Sequence, residues 1–219
     1  MESLMFDTRP LIIALITTCA IANPLNANEI EIAAFSRGDL SGWEEESFKG
    51  HSQYRLITLD DRQVLHATSD QAASGLHKEI TVDLEKTPYL NWSWRVDQVL
   101  NGNDERTKSG DDYPARVYVV AYRGWAPWKT RAISYVWASH QPRGASWPNA
   151  FTGKAHMVAV QSGTENAGQW QRQRRNVRED FRQLFGKDIK EIHYIAIMTD
   201  TDNSGQSAQG YYGDIYFSD

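Results

Sequence analysis

One cysteine, Cys19, stands in the whole sequence. The chain therefore has no intramolecular disulfide to close, and it is not a small scaffold stapled by thiols. Histidines are few and scattered. His51, His66, His77, His140, His156 and His193 form no pair at metal-ligand spacing on a helix, which removes the usual zinc pattern. An excess of positive charge is also lacking, with 23 basic against 28 acidic residues and a net charge of −5. A chain of that balance carries no global field to gather nucleic acid or anionic lipid. No organic cofactor is expected. Beyond one segment at the amino terminus there is no long apolar run, so no membrane span is expected in the mature chain.

That one segment, "PLIIALITTCAIA" from Pro10 to Ala22, is an apolar stretch ending in the small-x-small pattern Ala20-Ile21-Ala22. It reads as a secretory signal peptide covering residues 1–22, with Ala27 as an alternative end. The run is shorter than the ~20 residues a spanning helix needs. Its removal takes away Glu2, Asp7, Arg9 and Cys19, so the totals fall from 23 basic and 28 acidic to 22 and 26. The exported chain then has no thiol, which excludes thiol catalysis. A lipoprotein reading would make Cys19 the acylated residue, although Ile16-Thr17-Thr18 is a poor approach to such a site. The protein is expected in the periplasm or outside the cell.

What is present from residue 29 to 219 is short strands broken by Gly, Pro, Asn and Asp. Alternation is clear in "YLNWSWRVD", where Trp92, Trp94 and Val96 face one way and Asn91, Ser93, Arg95 and Asp97 the other. "ARVYVVAY" sets Val117, Val119 and Ala121 against Arg116, Tyr118 and Val120. "YRLITLDDRQVLHATS" reads as a hairpin turning at Asp60-Asp61. One helix breaks the pattern. Val177, Phe181, Leu184 and Phe185 make a single stripe, Asn176 with Glu179 resembles a capping box, and Gly186 is a natural stop. The fold class is all-β: an antiparallel β-sandwich of jelly-roll, galactose-binding-like type, with one short amphipathic helix near residues 176–186. A single domain is expected. The last two strands are expected to lie side by side.

The series "NWSWRVD", "SGDDYPARVYVVAY", "SYVWA", "RNVREDFRQLFG" and "IMTDTDNSG…YYGDIYF" resembles the bacterial family known as domain of unknown function 3047. The resemblance covers nearly the whole mature chain and implies an exported, β-rich protein. It supplies no catalytic residues. At the level of topology the strand pattern is also similar to galactose-binding-like sandwiches and carbohydrate-binding modules, and fold alone does not fix function.

Several constellations offer chemistry. In "DTDNSG", Asp200, Asp202 and Ser204 stand at alternate positions before Gly205, the spacing of a calcium loop, with Asp214 on the last strand or the Asp111-Asp112 pair as further oxygen donors. The competing reading is a turn whose carboxylates cap backbone N–H groups. Asp111 and Asp112 are adjacent on extended chain and cannot face one substrate bond together. A salt bridge from Asp112 to a neighbouring arginine is expected instead. Trp125, Trp128 and Trp147 sit among glycines and prolines, where rigid rings make platforms for the apolar face of a sugar or close the ends of the core. Arg95, Arg116, Tyr118, Tyr135 and His140 would suit a polysaccharide lyase if they shared one face, the arginine neutralising a uronate and a base taking the adjacent proton. Arg172, Arg174, Arg175, Arg178 and Arg182 read as a solvated face with local ion pairs.

The expected function is non-catalytic binding of a glycan or similar polar envelope ligand, through Trp125, Trp128, Trp147, Arg95 and Arg116, with calcium as a candidate stabiliser. The alternatives are a polysaccharide-active enzyme, lyase or hydrolase, using Arg116, Tyr118 and His140, or an envelope scaffold that docks another protein.

Overall fold

The computed structural model describes residues 28–121 and 129–219. The segment expected to be a leader, Cys19, Trp125 and Trp128 lie outside the described residues. Strands come first in chain order as β1 (Ile30–Ala33), β2 (Glu44–Lys49), β3 (Gln53–Leu59), β4 (Arg62–Asp70) and β5 (Ala73–Asp83). Next are β6 (Tyr89–Val96), β7 (Arg116–Ala121), β8 (Arg131–Ala138), β9 (Ser146–Pro148) and β10 (Ala155–Ser162). The chain closes with β11 (Gln171–Asn176), the helix α1 (Val177–Phe185), β12 (Glu191–Met198) and β13 (Ser207–Ser218).

Two sheets pack face to face. The six-stranded sheet runs β11-β6-β13-β4-β3, with β1 added against β13, and the seven-stranded sheet runs β2-β5-β12-β7-β8-β10-β9. Period-two alternation does the sorting. Leu90, Trp92, Trp94 and Val96 of β6 enter the space between the sheets, as do Val117 and Val119 of β7. Trp94 lies 6.1 Å from Trp137 of β8 and meets Trp92 edge-on at 5.5 Å. Burying each such aromatic removes enough apolar surface from water to contribute on the order of 1.5–3 kcal/mol. A core of this kind does the work that disulfides do in small domains.

The β3–β4 hairpin turns at Asp60 and Asp61, with φ of 52° and 59°. Left-handed values at both central positions match the twist of the flanking strands, and aspartate tolerates them better than most residues. The helix begins where Asn176 accepts the Glu179 N–H at 3.0 Å. It ends at Gly186, whose φ of 64° frees its N–H to reach the Arg182 carbonyl at 2.9 Å. Val177 and Phe181 on its stripe are buried in the main core.

Two features depart from the sequence reading. β8 and β10 pair in parallel, which requires a crossover, and residues 139–154 supply it. More consequentially, β12 and β13 are not neighbours. They belong to different sheets, so residues 199–206 carry the chain from one layer to the other.

A second, smaller core lies outside the sandwich. Val136, Ala138, Met157 and Ala159 face away from the main core, yet they are buried with Tyr113 and Trp147. The cover is the long polar loop before β7, and Glu105 anchors it. That carboxylate is fully buried and accepts the backbone N–H groups of Ser139, His140 and Gln141. The Tyr113 hydroxyl and the Trp147 indole both donate to the Glu105 carbonyl. Among the described residues no helix is long and apolar enough to cross a membrane.

Candidate functional site

The described residues leave the rest of the outer face of the seven-stranded sheet open. Tyr118 and Val120 of β7, Ala196 and Met198 of β12, and Ala73, Gly75 and His77 of β5 point outward along it. A pocket of about 370 Å³ is lined by Phe48, Tyr118, Phe151, Met198, Asn149 and a group of charged residues. A second hollow of about 250 Å³ adjoins it through Phe48, Tyr118 and Met198 and reaches Glu46 and His77. Together they form a groove that crosses the sheet from β2 to the β9–β10 turn. Five strand spacings separate β2 from β10 in the sheet order, which is about 24 Å measured along the sheet.

The walls are aromatic. Phe48 is 69% exposed and Phe151 54%, and these are the two large apolar side chains left exposed among the described residues. Tyr118 supplies an aromatic floor between them. Sequence sets up both walls simply. Phe48 sits on an edge strand, where one face has no neighbour to cover it, and Phe151 rides a turn in which Asn149 Oδ1 accepts the N–H groups of Phe151 and Thr152.

The base of the pocket is ionic. Arg116 is 4% exposed, and its Nη2 donates to Asp200 Oδ2. Nη1 lies 3.9 Å from Asp111 Oδ1. The guanidinium is also held between rings, with its carbon 4.9 Å from the Tyr113 centroid and 5.5 Å from that of Tyr118. Asp111 accepts from the Asn149 amide at 2.8 Å. Burial pushes the Asp111 carboxyl above the ordinary carboxylate range, against the pull of Arg116. Two buried polar atoms of this pair, Arg116 Nε and Asp111 Oδ1, have no hydrogen-bond partner among the described residues.

The acidic turn is wired by Asp112. Its carboxylate accepts the N–H of Asn203 at 3.3 Å and that of Ser204 at 2.5 Å, and the Asn203 amide at 3.1 Å. One carboxylate oxygen each from Asp112, Asp200 and Asp202 lie within 4.8 Å of one another. A calcium ion there would compete with Arg116 for Asp200 and with three N–H groups for Asp112. The set also falls short of the about six to eight oxygens that calcium takes. Asp214 does not join them. Its carboxylate accepts the N–H of Ser36 at 2.8 Å. It sits seven residues along β13 from Ser207, roughly 24 Å of extended strand. The expected bridge from Asp112 to an arginine is likewise corrected, because Asp111 is the residue beside Arg116.

Residues 41–216 match the family described as a protein of unknown function, DUF3047. The chain belongs to the DUF3047 family. No curated protein matches it. Among solved structures, this DUF3047 chain is similar to the family 11 carbohydrate-binding module of a cellulosomal cellulase of Clostridium thermocellum. The identity is 9%, the match covers 86% of this chain and 94% of the module, and the TM-score is 0.48. It is also similar to the K1 cleaved adhesin domain of Lys-gingipain from Porphyromonas gingivalis W83, at 10% identity, 87% and 97% coverage and a TM-score of 0.41. A third likeness is to the xyloglucanase domain of a type three effector from Sinorhizobium fredii, at 8% identity, 80% and 92% coverage and a TM-score of 0.42.

Within the DUF3047 chain, some of the residues singled out in the sequence meet and others do not. Arg116 and Tyr118 share the groove. Arg95 lies on the opposite side of the molecule, where it donates to Asp97 Oδ1 at 2.8 Å on the six-stranded sheet. Tyr135 is in the main core, and its hydroxyl donates to Asp180 at 2.7 Å. His140 is exposed on the β8–β9 connection, and only its backbone N–H is engaged, by Glu105. The arginine–tyrosine–histidine face expected for a lyase is therefore not assembled. Trp147 is 4% exposed and belongs to the second core, so its ring is not a platform.

Sequence reasoning missed Phe48, Phe151 and Asn149. Phe48 had one signal, as the single apolar residue in "EEESFKG". An apolar side chain with no apolar neighbours at i±2 has no core face to belong to.

Proposed function

We propose that this protein binds a glycan, without catalysis, along the groove on the outer face of the seven-stranded sheet, and that it does so outside the cytoplasm. The observation that carries the reading is the convergence of Phe48, Phe151 and Tyr118 on one pocket whose base holds buried, incompletely bonded polar atoms. Ligand sites combine apolar walls with a few fixed polar groups, and exposed aromatic clusters are costly to keep unless something covers them. Flat rings suit the C–H faces of a pyranose, and a phenyl group has only two torsions to order on binding. The leader sequence supports export, and with it an envelope or external polysaccharide as the ligand.

Calorimetry of the mature chain against a panel of soluble polysaccharides tests this reading. Binding to at least one is expected, lost in the Phe48→Ala/Phe151→Ala double variant. Heat of binding that the double variant retains in full would move the site elsewhere on the molecule. Silence across the whole panel would remove the reading. In that case a protein partner seated on the same two rings becomes the better account, and pull-down from envelope extracts with wild type against the double variant would show it.

A further inference from the structure

We infer that the groove selects uncharged glycans and turns away uronate, sulfated and phosphorylated chains, an inference that rests on the glycan reading above. Arg116 is the one cation among the described residues that line the pocket, and it shares that lining with three carboxylates, Asp111, Asp200 and Asp202. Its charge is already committed. Asp200 takes Nη2, Asp111 stands beside Nη1, and Tyr113 and Tyr118 flank the plane. An anionic sugar entering here finds, among the described residues, a guanidinium already shared by two carboxylates and a surplus of negative charge.

The rim does not reverse this. Lys49 donates to the Asp202 carbonyl at 3.0 Å and lies 3.9 Å from its carboxylate. Lys108 lies over the Phe151 ring at 5.4 Å. Lys49 has a largely solvated side chain, and exposed charges are screened within about 8–10 Å at ordinary salt. The adjoining hollow adds Glu46 and His77 and, among the described residues, no lysine or arginine.

Hydrogen-bonding capacity points the same way. Asp111 Oδ1 needs a donor and Arg116 Nε needs an acceptor. A sugar hydroxyl both donates and accepts, so a hydroxyl, or two on adjacent carbons, completes the pair. A carboxylate or sulfate oxygen only accepts. It satisfies Arg116 and leaves Asp111 unpaired and facing a like charge.

The test compares neutral oligosaccharides, of glucan, galactan and mannan type, with polygalacturonate, alginate and the C6-oxidised counterpart of whichever neutral chain binds. Calorimetry on the mature chain is expected to give at least tenfold weaker binding for each anionic chain. Asp111→Asn removes one carboxylate at constant shape, and is expected to raise affinity for the oxidised chain at least threefold while lowering that for the neutral one. Asp202→Asn, at a partly exposed position, changes the same field and serves if Asp111→Asn fails to fold. Equal or tighter binding of anionic chains would overturn the inference while leaving the glycan reading intact. So would a pair of folded variants that leave the discrimination unchanged. Binding to neither class would take down the glycan reading, and this inference with it.

Discussion

The two outer faces of the sandwich are built from the same alternating strands and end up chemically opposite. On the six-stranded sheet, polar side chains complete one another. Arg95 bonds Asp97 and stands near Asp60, His66 stacks on Tyr211 at 4.6 Å, Arg62 lies 4.0 Å over Trp170, and Arg174 lies 3.4 Å over Tyr89. One hollow there, of about 630 Å³, is lined by His51, Gln53, Thr68, Asp70 and Gln209 among others, with no phenyl, phenol or indole ring among the described residues. The seven-stranded face does the reverse. At its groove the ion pairs of Arg116 are buried at one point, and the Phe48 and Phe151 rings stand exposed. A large hollow without an aromatic wall gives a sugar little to stack on. A smaller one with exposed rings and buried polar atoms that lack a partner among the described residues gives it more, and that difference, not volume, supports the proposed site.

The sharpest way to break the comparison is to remove one carboxylate from each face. Asp200→Ala leaves Arg116 charged and buried, and is expected to cost about 3–5 kcal/mol in urea unfolding. Asp97→Ala removes a partly solvated pair and should cost less than about 1 kcal/mol. Similar costs at the two positions would mean that the groove's ionic base is no more buried in solution than the opposite face.

The next effect is on binding. Tyr118→Ala is expected to weaken glycan binding by about 1–2 kcal/mol, a five- to thirtyfold change, as for an aromatic anchor at the centre of an interface. Trp170→Ala, on the other face, should leave affinity unchanged although it deletes a larger ring. Equal losses would place the ligand across both faces or on neither.

How much of this was readable beforehand follows from the range of the interactions. The alternation of Trp92 and Trp94, the Asp60–Asp61 turn and the Asn176 cap are decided by residues within a few positions of each other, and each appears in the structure as the sequence implies. The groove is not local. Its lining comes from β2, β5, β7, β12 and the turn after β9, and no spacing along the chain encodes their meeting. The acidic turn shows the same divide. That carboxylates would serve backbone N–H groups there was one of two readings, and the carboxylate that takes those of Asn203 and Ser204, Asp112, comes from some ninety residues earlier. In the other reading Asp214 was the further oxygen donor, and it lies away from the turn because β12 and β13 belong to different sheets. Of the two readings of Trp147, platform or core, the structure takes the second, and nothing near it in sequence announces that a loop some forty residues earlier folds over it.

The smallest effect concerns a carboxylate on neither face, and it sharpens the contrast between exposed and buried acids. Asp188, just past α1, accepts from Arg178 Nε at 2.7 Å and from Arg182 Nε at 3.0 Å. Hydrogen bonding to Arg178 holds its carboxyl at about 2, below the ordinary value of 3.8. A folded-state pKa below the unfolded one means that the contribution to stability is complete above pH 4 and fades as pH falls from 4 toward 2. Asp111 has the opposite sign. Burial raises its carboxyl, so its charged form weighs against the fold, and that burden lifts as pH falls through its folded value toward 3.8. Asp188→Asn should therefore lower the melting temperature slightly near neutrality and flatten the profile between pH 4 and 2, so that variant and wild type converge at the acid end. Asp111→Asn should have the opposite sign, raising the neutral end of the profile and leaving the acid end unchanged. If both variants shifted the neutral end in the same direction, the distinction between a solvated ion pair and a buried groove acid would not hold.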